Sequence, residues 1–107
     1  MNNRFEYINN LLSFYDKLLT ERQSEILHYH YYEDMSISEI AEILNVSRSA
    51  VHDALKKAEL LLEEYEDKLH LYQNYVYRLK RYDEIRKENN VKINKIIEEI
   101  ITKEEDL

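Results

Sequence analysis

Cysteine, glycine and proline are all missing from this chain of 107 residues. Without cysteine there is neither a disulfide framework nor a thiolate metal cage. Without glycine the backbone cannot close on a phosphate in the manner of a nucleotide-binding loop. The same absence disfavours the primed turns that close β-hairpins. No run approaches the roughly 18 apolar residues of a membrane span. The N-terminus, MNNRFEYINN, is polar and lacks the apolar core of a signal peptide. What is present is charge and helix-compatible apolar spacing. There are 22 Asp+Glu against 15 Lys+Arg, a net charge of −7. The expectation is an all-α, cytoplasmic protein with no membrane partner.

Apolar residues recur at three and four positions along most of the chain, which is the helical period. Phe5, Ile8, Leu12, Tyr15 and Leu19 form one face of a first helix over 3–18. Thr20 with Gln23, and Ser36 with Glu39, are capping boxes. In each the hydroxyl accepts from the third helical NH and the longer side chain reaches back. They predict helices starting near Glu21 and Ile37. Asn45 tolerates the left-handed backbone and predicts a sharp turn after Leu44. Ser47 then caps a further helix, which nothing obvious stops before Asn89-Asn90. A last helix is expected over 91–102, with a frayed tail from Lys103.

The segment SISEIAEILNVSRSAV, Ser36 to Val51, meets the demands of a helix-turn-helix together. Ala41 is small where two helices cross closely. Ile40, Leu44, Val46 and Val51 are apolar to fill the angle, Asn45 forms the turn and Ser47 caps. With Val51, Leu55 and Ala58 inward, Arg48, Ser49, His52, Asp53 and Lys56 face out, where a major groove would be read. Arg48 has the geometry for guanine or phosphate, and Ser49 for a phosphate. The charge argues the other way. Residues 1–69 carry 7 basic and 14 acidic groups, and duplex affinity needs several cations facing the phosphates.

Val51, Leu55, Ala58, Leu62, Tyr65, Leu69, Tyr72, Val76 and Leu79 form a heptad stripe. One continuous helix over 47–88 would be about 63 Å long. Either it breaks near 68–72 or a second chain covers it. The isoleucine-rich face at Ile96, Ile97, Ile100 and Ile101 offers a partner surface. The expectation is a homodimer mediated by residues beyond about 60, with a helix-turn-helix domain over 1–62 and a helical extension over 63–107. Within the extension Tyr77, Arg78, Lys80, Arg81, Arg86 and Lys87 mix stacking and phosphate-binding types, fit for RNA or an acidic protein surface. The bland alternative is the wet face of an amphipathic helix.

No catalytic constellation emerges. His28 and His30 lie two apart, on different helix faces, whereas helical metal pairs sit four apart. Neighbouring carboxylates such as Glu63-Glu64 lack an apolar pocket to raise a pKa. The expectation is a protein without enzymatic activity, metal or cofactor.

The stretch LTERQSEILHYHYYEDMSISEIAEILNVSRSAVHDALKKAELLL resembles region 4 of bacterial sigma factors. By that resemblance Arg22 and Gln23 would contact phosphates, beside Ser47, Arg48, Ser49, His52 and Lys56. Asn45 stands where sigma proteins usually have Gly, and Asp53 departs from their basic recognition helix. The remainder of the chain, with its tyrosine-rich long helix and isoleucine-rich end, resembles the YlxM family of helix-turn-helix proteins. The genes of that family lie beside those of the signal recognition particle GTPase and its receptor. The resemblance implies a regulatory role in that targeting pathway, with the GTPase or its ribonucleoprotein as partner. The alternatives are a sigma-like DNA-binding regulator of transcription and an RNA-associated scaffold.

Overall fold

The computed structural model describes residues 3–105. Six α-helices succeed one another: α1 (Asn3–Tyr15), α2 (Glu21–Tyr31), α3 (Ile37–Leu44), α4 (Arg48–Leu69), α5 (Leu71–Arg86) and α6 (Val91–Glu105). A tight 3-10 turn, Asp16–Leu18, follows α1, and no strand occurs among the described residues. The chain divides into two compact units between Tyr72 and Gln73.

The first unit is built around α4, which packs against α1, α2 and α3. Ile8, Leu11, Leu12 and Tyr15 from α1 meet Ile26, Leu27 and Tyr31 from α2 and Leu55, Ala58 and Leu62 from α4. Each fully buried Leu or Ile contributes about 1.5–3 kcal/mol, so this cluster dominates the stability of the unit. A smaller cluster of Ile40, Ala41 and Val51 fills the angle between α3 and α4. Both capping boxes are formed. Thr20 Oγ1 accepts from the Gln23 NH at 3.2 Å and Gln23 Oε1 from the Thr20 NH at 3.0 Å. Ser36 and Glu39 exchange the same pair, each at 3.1 Å. Asn45 is left-handed, with φ 56°, and its turn is closed by the Val46 NH donating to the Ala41 carbonyl at 3.0 Å. Ser47 Oγ accepts from the Ala50 NH at 3.0 Å, which starts α4. Val46 departs from expectation: it is exposed rather than filling the angle between the helices. That angle is already closed by Ile40, Ala41 and Val51, with Leu44 packed against them.

Of the two alternatives for residues 47–88 the chain takes the break, within the expected 68–72 window, at His70, which is left-handed at φ 56°. A buried polar lock accounts for the break. Glu66 Oε1 accepts from the Tyr15 hydroxyl at 2.6 Å and from the Tyr72 NH at 3.0 Å. The Tyr15 oxygen in turn accepts from the Leu71 NH at 3.0 Å. The first NH groups of a helix have no partner inside it. Here a carboxylate and a phenol supply partners for two of them at the start of α5. The heptad stripe is therefore spent differently along its length. Val51, Leu55, Ala58 and Leu62 are core of the first unit, Tyr65 and Tyr72 pack against it, and Leu69 is exposed. Tyr7 and Phe14 lie 6.0 and 5.9 Å from the Tyr72 ring. These contacts carry the first compact unit past Leu62 to Tyr72.

In the second unit Asn89 is left-handed at φ 57°, and Asn90 Oδ1 accepts from the Ile93 NH at 3.0 Å. The expected stop at Asn89-Asn90 and restart at Val91 are formed. Helix α6 runs on to Glu105 instead of fraying from Lys103. Glu104 Oε1 is 3.0 Å from Arg78 Nε, and Glu105 accepts from the Tyr75 hydroxyl at 3.2 Å. Glu104 and Glu105 are thus anchored on α5. The last two residues of the expected tail, Asp106 and Leu107, lie outside the described residues.

Candidate functional site

The helix-turn-helix presents the N-terminal half of α4. Arg48, Ser49, His52, Asp53, Lys56 and Lys57 are all exposed, as is Ser47 at the cap. The spacing follows from the inward set: Val51, Leu55 and Ala58 turn into the core, which leaves these positions on the opposite arc. The face is electrostatically mixed. His52 Nδ1 lies 3.6 Å from Asp53 Oδ1, so a protonated His52 would be neutralised by its neighbour. That leaves Arg48, Lys56 and Lys57 as the cations of the face.

Arg22 and Gln23 are otherwise engaged. Gln23 is consumed by the capping box with Thr20. Arg22 stays exposed, with Nε 3.6 Å from Glu25 Oε1 on its own helix. Other cations of the first unit are also paired: Arg4 with Glu63 and Lys68 with Glu64, at 2.8 and 2.9 Å.

Two apolar side chains stand out at the turn. Ile43 is 54% and Val46 41% exposed. Leu60, one turn beyond Lys56 on α4, is exposed as well. Sequence reasoning assigned Val46 to the interior and gave Ile43 no role. The available signal was the apolar excess of α3: Ile37, Ile40, Ile43 and Leu44 are more than one face of an eight-residue helix can bury.

The tyrosine-containing basic stretch on α5 is arranged differently from a free cationic patch. Arg78 is paired with Glu104 on α6, Arg86 with Asp83 and with Glu98 on α6, and Arg81 with Glu84 at 2.7 Å. Tyr77, Lys80 and Lys87 remain exposed, and neither lysine makes an ion pair among the described residues. The six residues therefore do not form one free surface: Arg78 and Arg86 tie α5 to α6, and the other four are exposed.

His28 Nε2 lies 3.1 Å from Asp16 Oδ2, while His30 bonds the Met35 carbonyl at 3.0 Å. The two imidazoles serve separate local contacts. No group of three or more metal-ligating side chains occurs among the described residues. None of the described helices is long and apolar enough to cross a membrane.

A capped helix, a left-handed turn and a second capped helix crossing at Ala41 define an all-α helix-turn-helix protein. More particularly, the chain belongs to the family described as “Putative helix-turn-helix protein, YlxM / p13 like”, which matches residues 1–103. It is 46% identical over 80 residues to a UPF0122 protein of Lactococcus lactis subsp. cremoris (strain MG1363), covering 75% of this chain and 72% of that one. A UPF0122 protein of Streptococcus suis is 49% identical over 78 residues, 73% of this chain and 69% of its own. One from Oceanobacillus iheyensis is 44% identical over 79 residues, with 74% and 75% covered.

Proposed function

We propose that the protein is a non-catalytic, cytoplasmic regulator in signal recognition particle–dependent targeting. On this reading its helix-turn-helix docks on the pathway's GTPase or ribonucleoprotein rather than on a promoter. The pathway comes from the resemblance to the YlxM family. The preference for a protein surface rests on one observation: the turn of the motif exposes Ile43 and Val46 beside a recognition helix of mixed charge. Apolar side chains gain nothing from phosphates but gain about 25 cal/mol per Å² when a partner covers them. The electrostatics agree. Three cations on the face would give a salt slope of roughly −2.7 on duplex DNA, whereas a protein making 6–10 phosphate contacts has a slope of roughly −5 to −9.

The sigma-like DNA reading has one observation in its favour. Ser47, Arg48, Ser49, His52 and Lys56 are all exposed on one helical arc, as groove entry requires.

Affinity purification of the tagged chain from cytosol, with and without nuclease, tests the proposal. The expected result is capture of the targeting GTPase. Capture that survives nuclease points to the protein, and capture lost with nuclease points to its RNA. Ile43→Glu should weaken capture at least tenfold, while Arg48→Glu should change it little. Retardation of a specific duplex at physiological salt, abolished by Arg48→Glu, would replace this reading with the sigma-like one.

A further inference from the structure

The second compact unit is too poorly buried to stand by itself. It comprises residues 73–107, and Ile97 is the one fully buried side chain among its described residues. Units below roughly 40 residues generally need a disulfide, a metal or a second chain to stay folded. This unit has no cysteine and no metal-ligating cluster among its described residues. Meanwhile Ile93, Ile96 and Ile100 form an exposed apolar stripe along α6, at the i, i+3, i+7 spacing of a helix–helix seam. Ile96 alone leaves 47% of its surface open.

We infer that a second copy of this chain covers the stripe, with two α6 helices packed antiparallel about a twofold axis near Ile96. Charge selects this occupant over an acidic or basic partner. Lys92 and Glu99 flank the stripe on one side of α6, so an antiparallel copy about an axis near Ile96 can set each Lys92 against the other copy's Glu99. Residues 73–107 carry 8 basic and 8 acidic groups, so two copies of this unit do not repel each other. The remaining residues hold the whole net charge of −7, which disfavours self-association through the first unit. A twofold axis uses the same patch twice, so three isoleucines per chain place six in one seam. The need for cover is permanent, because it holds the unit folded, and a second copy is present whenever the chain is.

The 107-residue chain provides a clean test because it contains no thiol of its own. Ile96→Cys should form a disulfide-linked dimer on mild oxidation. Thr102→Cys, on the opposite arc of α6, should not. Sedimentation of the unmodified chain should give a dimer, and its melting temperature should rise with protein concentration. Ile96→Glu should weaken the dimer roughly a hundredfold or more, since each substitution is felt twice across the axis. Concentration-dependent melting of the unmodified chain supports the inference even if Ile96→Glu fails to fold. A chain that sediments as a monomer across the micromolar range, with α5 and α6 helical, would overturn it. So would equal cross-linking through position 96 and position 102.

Discussion

Glu66 is the single charged side chain in the core among the described residues. It accepts from the Tyr15 hydroxyl and the Tyr72 NH, so it joins α1 to the break between α4 and α5. Removing a buried acceptor leaves its donors unsatisfied at about 1–3 kcal/mol each. Glu66→Ala should therefore lower the unfolding free energy by about 2–6 kcal/mol, read from urea denaturation. Tyr15 carries a second consequence. Burial, and then its bond to Glu66, push its phenol up from 10.0 to about 12. Tyr31 is pushed up as well, by burial and by its bond to Glu59. A raised tyrosine pKa means that the unfolded chain loses its proton first. The contribution is complete below pH 10 and is lost as pH rises toward the folded value. Stability should fall by about 2 kcal/mol per such residue between roughly pH 10 and 12. Phenolate absorbance should report Tyr15 ionising together with unfolding. Tyr15→Phe should be less stable at neutral pH but flatter in this window, and an unchanged slope would remove Tyr15 from the account.

At the scale of elements, the helix starts were the legible part. Thr20, Ser36 and Ser47 cap as their sequence offsets require, because a cap is a contact over three residues and needs no tertiary information. Asn45 and Asn89 are left-handed, as the most tolerant residues in a chain without glycine. Three features were not legible. The sequence offered a break near 68–72 as one of two alternatives, but the choice of the break depends on a phenol from position 15, remote in sequence, which no local pattern contains. The exposure of Ile43 and Val46 depends on which apolar residues of α3 reach the core first. The engagement of Arg78 and Arg86 depends on α6 folding back on α5, so a run that reads as a cationic patch is partly an internal tie. The helix crossing itself can be tested. Ala41 is nearly fully buried between Ile40 and Val51, so Ala41→Leu should cost about 1–3 kcal/mol. Asn45→Gly should be neutral or stabilising by under about 1 kcal/mol, since glycine reaches φ 56° without a Cβ penalty. Melting temperatures of the two variants should move in these different directions, and a clear loss with Asn45→Gly would mean that the Asn45 side chain holds the turn.

For the whole molecule, the two compact units divide the work along lines of charge and burial. The first has a core of aliphatic and aromatic side chains from four helices, carries the net negative charge and exposes the helix-turn-helix face. The second is electrically balanced, poor in buried surface and lined with isoleucine. On the two proposals made above, partner recognition and self-association are separable. Ending the chain after Glu88 removes α6 and with it Glu98 and Glu104, the anchors of Arg86 and Arg78. Helix α5 then loses its cover and should fray from Gln73 onward. The first unit keeps Tyr15, Glu66, Leu71 and Tyr72, so its lock and core are untouched. Circular dichroism should lose roughly two helices' worth of signal, with the main melting transition retained and sedimentation reduced to a monomer. Capture of the targeting partner discriminates the two candidate surfaces. If the exposed turn at Ile43 and Val46 carries binding, the truncated chain keeps its affinity apart from the avidity of a dimer, a loss that linkage of the shortened chain to itself restores. If the stretch Tyr77–Lys87 carries binding, affinity disappears with the helix that presents it, and no linkage brings it back.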